Sequence, residues 1–163
     1  MIPGRAAILF LALSWPGDGG PTSAGGQEVA ELTQVLASVI AVLRTEYGAD
    51  RAFALDLDWR SDNAGDGDTL TRVGEELGLA LVRGSDLLTC PDEGLSGACR
   101  LSDPRRILRL GEFQAGDGRA ELDLDLLFGV EEERLALLGF RAEFVRGDAG
   151  SWDLDDLRLV RMH

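Results

Sequence analysis

The stretch Arg119–Phe128, "RAELDLDLLF", alternates without a break: Ala120, Leu122, Leu124, Leu126 and Phe128 on one side, Glu121, Asp123 and Asp125 on the other. A side-chain period of two is the pattern of a β-strand with one face buried and one wet. "QAGDG" (114–118) before it and "GVEEE" (129–133) after it are turn-forming. Upstream, "RRILRLGEF" (105–113) reads as a strand. Downstream, "RLALLGFRAEFV" (134–145) turns Leu138, Phe140, Ala142 and Phe144 inward, and "RGDAGS" (146–151) is a further turn. "WDLDDLRLVRM" (152–162) follows, and its phase slips at Asp155–Asp156, which predicts a β-bulge. Strands joined by such short turns form an antiparallel meander.

The residues before the meander read differently. Val29, Leu32, Leu36, Val39, Ile40, Leu43 and Tyr47 recur at helical spacing, so 27–47 is a long helix with one apolar face, ended by Gly48. "RAFALDLDW" (51–59) alternates again, with Phe53, Leu55, Leu57 and Trp59 inward and Asp56 and Asp58 on the wet side. A second helix is expected over about 69–82, with Leu70, Val73, Leu77 and Leu81 inward. The predicted architecture is α+β: a long N-terminal helix and a shorter one packed on a curved antiparallel sheet of about four to five strands.

The N-terminus has the build of an export signal. Arg5 is a short positive region, Ala6–Trp15 is an apolar run too short to span a bilayer, and Pro16 and Gly17 break it. Thr22 and Ala24 supply small residues for cleavage after Ala24. Residues 1–24 are therefore read as a signal peptide, 25–163 as a single domain without membrane insertion after cleavage, and 17–26 as a glycine-rich spacer. The alternative is that residues 6–15 pack on the domain as a strand or helix. Export fixes the simplest reading of the two cysteines, Cys90 and Cys99, as a disulfide across a loop holding Pro91, Gly94 and Gly97. Free thiols, a metal clip or a redox pair remain open. Zinc needs four ligands and redox pairs favour C-x-x-C.

The formal net charge is −13, and all sixteen basic residues are arginine. Nucleic acid is excluded as a partner by the absence of a basic footprint, while basic proteins and divalent cations stay open. The lack of lysine removes Schiff-base and Ser-Lys chemistry. The one histidine, His163, stands at the end of the chain, and no phosphate-binding glycine motif is present. No catalytic residue and no cofactor is assigned. Carboxylates are the plentiful reactive groups: Asp56 with Asp58, and Asp123 with Asp125, each roughly 7 Å apart along one strand face. Such a pair could serve hydrolysis. The simpler account is a solvated face with Arg106, Arg109, Arg119 or Arg141 pairing across strands. In "DNAGDGD" (62–68), Asp62, Asp66 and Asp68 are the candidate ligands of an irregular calcium loop, though Ala64 and Val73 occupy positions an EF-hand gives to ligands. Trp59 and Trp152 are read as core.

"GDGRAELDLDLLF" (116–128), "GFRAEFVR" (139–146) and "GDAGSWDLDDLRLV" (147–160), with Trp152 opening the last strand, together resemble the ending of small secreted bacterial proteins of NTF2-like or cystatin-like helix-on-sheet build. The resemblance implies an exported protein with a helix laid across a curved sheet, and it carries no catalytic residue onto this chain. Enzymes of NTF2-like build act through His, Asp or Tyr groups in a cone-shaped pocket, whereas the single tyrosine here, Tyr47, lies on the helix. The expected function is a non-enzymatic binding or structural module of the cell envelope or medium. The alternative is an NTF2-like small-ligand pocket with carboxylate chemistry. An enclosed cavity with polar groups between helix and sheet distinguishes the second from the first.

Overall fold

The computed structural model describes residues 24–47, 52–58, 67–90, 99–130 and 134–162. Residues 1–23 of the proposed signal segment, Trp59, Asp62, Asp66, Gly48, His163 and the interior of the cysteine loop lie outside them. Helix α1 (Ala24–Tyr47) opens the described chain. It takes in Ala24–Gly26, so the spacer expected up to residue 26 is helical at its end. Strand β1 (Phe53–Asp56), helix α2 (Gly67–Glu76) and strand β2 (Ala80–Val82) follow, then a single turn α3 (Gly84–Leu87) and two short strands, β3 (Leu88–Thr89) and β4 (Arg100–Leu101). The long strands β5 (Arg106–Gly116), β6 (Arg119–Gly129), β7 (Leu135–Arg146) and β8 (Trp152–Met162) complete the chain.

The fold is α+β, but the sheet corrects the expectation of four to five antiparallel strands. Six strands run in the order β2-β1-β5-β6-β7-β8, and β1 is parallel to both β2 and β5. Only β5 to β8 form the antiparallel meander read from the sequence. The cause lies at Gly78. The second helix does not reach residue 82: Gly78 adopts φ +63°, and the N–H groups of Gly78 and Leu79 donate back to the carbonyls of Glu75 (3.1 Å) and Gly74 (2.8 Å). This glycine C-cap stops the helix and releases Ala80–Val82 as a strand. A β1–α2–β2 crossover returns the chain in parallel beside β1. Strand β1 is consequently buried along its whole length, Ala54 and Asp56 included, rather than on one face.

The meander follows its sequence closely. Asp117 and Gly118 both take positive φ, the two-residue hairpin turn that Asp-Gly favours. The expected bulge is at Asp155, which has no partner between the pairs Glu143–Asp156 and Phe144–Leu154. A second falls at Val160, and a third at Gly111–Glu112 opposite Asp123.

Helix α1 lies on one face of the sheet. Val29, Leu32, Val35, Leu36, Val39, Ile40 and Leu43 pack with Leu55, Leu108, Leu122, Leu124, Phe140, Phe144 and Trp152 in a continuous apolar core. By length and composition α1 also passes as a membrane span, but its apolar stripe is the side buried in this core. Polar contacts orient it at the rim. Arg146 reaches Glu31 at 3.0 Å while lying 4.8 Å over the ring of Trp152, and Thr33 donates to Glu76 of α2 at 3.1 Å.

The opposite face is divided. At one end Leu101, Ile107 and Leu127 form a second small core with Val82, Leu87, Leu88, Leu135 and Leu137. Leu87 of α3, Leu88 of β3 and Leu101 of β4 cover it. There β3 and β4 pair antiparallel, and the Cys90–Cys99 disulfide closes them with Cα atoms 4.2 Å apart. The bridge is thus a staple on a small hairpin whose inner side is Leu101. Replacing both cysteines by serine is expected to lower stability by up to roughly 2 to 3 kcal/mol in guanidinium unfolding. Protection of the Leu88–Leu101 region should fall first in hydrogen exchange; uniform loss across the sheet would contradict a local staple.

Candidate functional site

The other end of that second face is polar, and its residues form rows running across the strands. The first row begins at Asp56, at the end of β1, with 1% of its surface exposed. Its Oδ1 accepts the N–H groups of Gly84 (2.9 Å) and Asp58 (3.0 Å), and its Oδ2 accepts Nε of Arg109 from β5 (2.7 Å). Pairing places Arg109 beside Asp125 of β6, and Asp125 beside Gly139 of β7. The absence of a side chain at Gly139 lets Arg161 of β8 lie flat across β7 and meet both oxygens of Asp125 at 2.6 Å. A Cβ at 139 would overlap Cγ and Nε of Arg161. Charges therefore alternate along the row: Asp56, Arg109, Asp125, Arg161.

The second row is shorter. Arg141 forks onto Asp123, Nε to Oδ1 at 2.8 Å and Nη2 to Oδ2 at 3.0 Å, and also reaches Glu121 at 3.1 Å. These hydrogen bonds hold the Arg141 guanidinium above its ordinary pKa, as the Asp125 contact does for Arg161. Between the rows runs a groove of about 260 Å³, with Gly111 and Gly139 among its lining and Asp123, Asp125, Arg141 and Arg161 around it.

The expectation of a uniformly solvated acidic face needs correction. Asp56 and Asp125 are buried, because the α3–β4 segment and the arm of Arg161 cover them, while Asp123 and Glu121 are half-exposed. Asp58 is not beside Asp56 on a strand face either; it lies past the end of β1. Of the expected cross-strand partners, Arg109 and Arg141 hold Asp56 and Asp123, whereas Arg106 sits over the ring of Phe128. Each aspartate of the 123/125 pair is engaged by its own guanidinium, Asp123 by Arg141 and Asp125 by Arg161.

A second cleft, of about 290 Å³, opens where the parallel strands end, lined by Leu57, Asp58, Gly67, Asp68, Thr71 and Arg83. In open sheets with parallel strands this is the usual place for a ligand. Asp58 accepts both the hydroxyl and the N–H of Ser85; the hydroxyl bond, chiefly, holds its carboxyl below the ordinary range, with Arg83 adding to the effect. Asp68, from the candidate calcium loop, stands in the first turn of α2, and Asp62 and Asp66 are outside the described residues. Among the described residues no three His, Cys, Asp or Glu side chains gather as a metal site.

Sequence reasoning found the residue types of the rows but missed Gly84, Gly139 and Arg161. The signal for Gly139 was there: a glycine inside a strand marks a close approach. Comparisons with family models, curated proteins and solved structures find no match for this chain.

Two outcomes are expected. Asp56→Ala leaves the largely buried Arg109 without its carboxylate and should cost about 3 to 5 kcal/mol in chemical unfolding, against under about 0.5 kcal/mol for Glu121→Gln. Asp103, in the turn before β5, is buried; the side chain of Arg105 hydrogen-bonds it at 2.5–3.1 Å and holds its pKa below the ordinary value. A carboxyl with a lower pKa folded than unfolded contributes stability above its unfolded pKa of ~3.9 and loses it as pH falls through the folded value. The melting temperature of Asp103→Asn should therefore lie below the wild-type value at neutral pH and converge with it in strong acid. A gap that stays constant down to about pH 2 would exclude the titration of Asp103 as its source.

Proposed function

We propose that the protein is an exported, non-enzymatic binding module of the cell envelope or its surroundings, working through the charged face of its sheet. What carries this reading is the contrast between the two faces. The helix-facing side is filled by apolar side chains of α1 and the sheet. The other side keeps guanidinium–carboxylate rows around a groove among the described residues. Rows of this kind on rigid strands suit recognition by complementary charge, which gives specificity and rapid association. With a net charge of −13, a basic protein surface is the favoured partner. The compartment follows from the disulfide, which persists in oxidising surroundings, together with the export-like N-terminus.

The test is a photo-crosslinking amino acid placed at Glu121, on the charged face, and separately at Glu75, on the exposed side of α2, in the producing cells. A discrete adduct from position 121, lost when Asp123 and Arg141 are both changed to alanine and absent from position 75, is expected. Adducts equal at both positions, or none at 121, would overturn the assignment of the face. Intact mass without reduction, showing the bridge and loss of residues 1–24, is the expected companion result for export.

A further inference from the structure

Strand β8 is the outer edge of the sheet, eleven residues long and paired only with β7 among the described residues. Its last third exposes large apolar side chains, Leu159 at 45%, Val160 at 57% and Met162 at 68%. A long edge with exposed apolar residues is a template for strand addition. Proteins blunt such edges with bulges and charges, and β8 has both: bulges at Asp155 and Val160, and the charges Asp153, Asp155, Asp156, Arg158 and Arg161.

Four of those charges are ordered about Leu157, and the fifth, Asp155, is a bulge residue outside the pairing. Pairing with β7 puts all four on the same face of the sheet as Glu143 and Arg141. Asp156 and Arg158 are one residue to either side of Leu157; Asp153 and Arg161 are four to either side, with one bulge residue in each arm. On the other face, Trp152, Leu154, Leu157, Leu159 and Met162 continue the apolar side. A second copy of β8, antiparallel about a two-fold at Leu157, would set each Asp156 against the copy's Arg158 and each Asp153 against the copy's Arg161. It would also cover Leu159 with apolar neighbours. In the parallel arrangement in register, like charges would face each other. The pattern therefore favours the antiparallel register about Leu157 over the parallel one in register.

We propose that this chain associates with a second copy of itself through β8, joining two six-stranded sheets into one around a two-fold axis at Leu157. Within one chain Arg158 contacts Glu143 and also Asp156, the latter at 2.9 Å; these are exposed pairs, weak enough to be exchanged for contacts across the edge. Arg161 is committed to Asp125, so it contributes field more than contact.

The decisive experiment uses charge exchange at the two positions that hold no buried group. In Asp156→Arg the copies would meet Arg to Arg, and in Arg158→Asp they would meet Asp to Asp. A mixture of the two variants restores both opposite-charge pairs. Sedimentation equilibrium of the wild type should show a mass rising towards twice the monomer value between roughly 1 and 100 μM, the range of a small edge interface. Each variant alone should associate at least roughly tenfold more weakly. An equimolar mixture should recover wild-type association, and circular dichroism should show both variants folded. A wild type that stays monomeric throughout, or a mixture no better than either variant alone, overturns the proposal.

Discussion

A carboxylate that is shut away from water must find its full set of hydrogen-bond donors inside the protein, and Asp56 does so from three places in the chain. One donor is the turn that ends its own strand, one is Gly84 at the start of α3, and one is Arg109 of the neighbouring strand β5. Satisfying that one side chain brings the parallel unit, the covering segment and the meander to a single point. Gly84 can only be glycine there, since a Cβ would overlap Oδ2 of Asp56 and Nη2 of Arg109. The position of α3 fixes where β3 and β4 run, and so where the second small core and its disulfide lie.

From that point the sheet divides its two faces. One is given wholly to α1 and the apolar core. The other is shared between the stapled hairpin and the charged rows, and Asp125 sits on their border, next in the strand to Leu127 of the second core and held by Arg161. Burial on one side of that border raises the effective strength of the ion pair on the other by excluding water. Each guanidinium of the rows meets a carboxylate at 2.6–3.0 Å.

The legible parts of the fold were those set by local periodicity. The α1 stripe, the meander strands, the inward set Phe140, Ala142 and Phe144, and the bulge at Asp155 all follow from spacing along the chain. The misread parts turn on single residues that serve two patterns. Leu81 continues the helical spacing of α2, but the left-handed conformation of Gly78 ends the helix and Ala80–Val82 is a strand. "FALDLD" looks half-wet because Asp56 is charged, and it is buried because Gly84 and Arg109 come to it from 28 and 53 residues away. The extra leucine of "LDLDLLF", Leu127, was the one local hint that the second face also carries a core.

The amino-acid sequence by itself determined the helix, the meander, the turn at Asp117–Gly118 and the acidic, lysine-free composition. Each of these depends on residue type and on neighbours a few positions away. Only the tertiary structure decided that the sheet is mixed, that two of the four candidate aspartates are buried, and that Gly139 is the bed for Arg161. These are long-range facts: a parallel strand pair and a guanidinium reaching across a strand require segments far apart in the chain to meet. No local pattern encodes which segments meet, because the energy that selects them comes from burying the core and pairing the charges together.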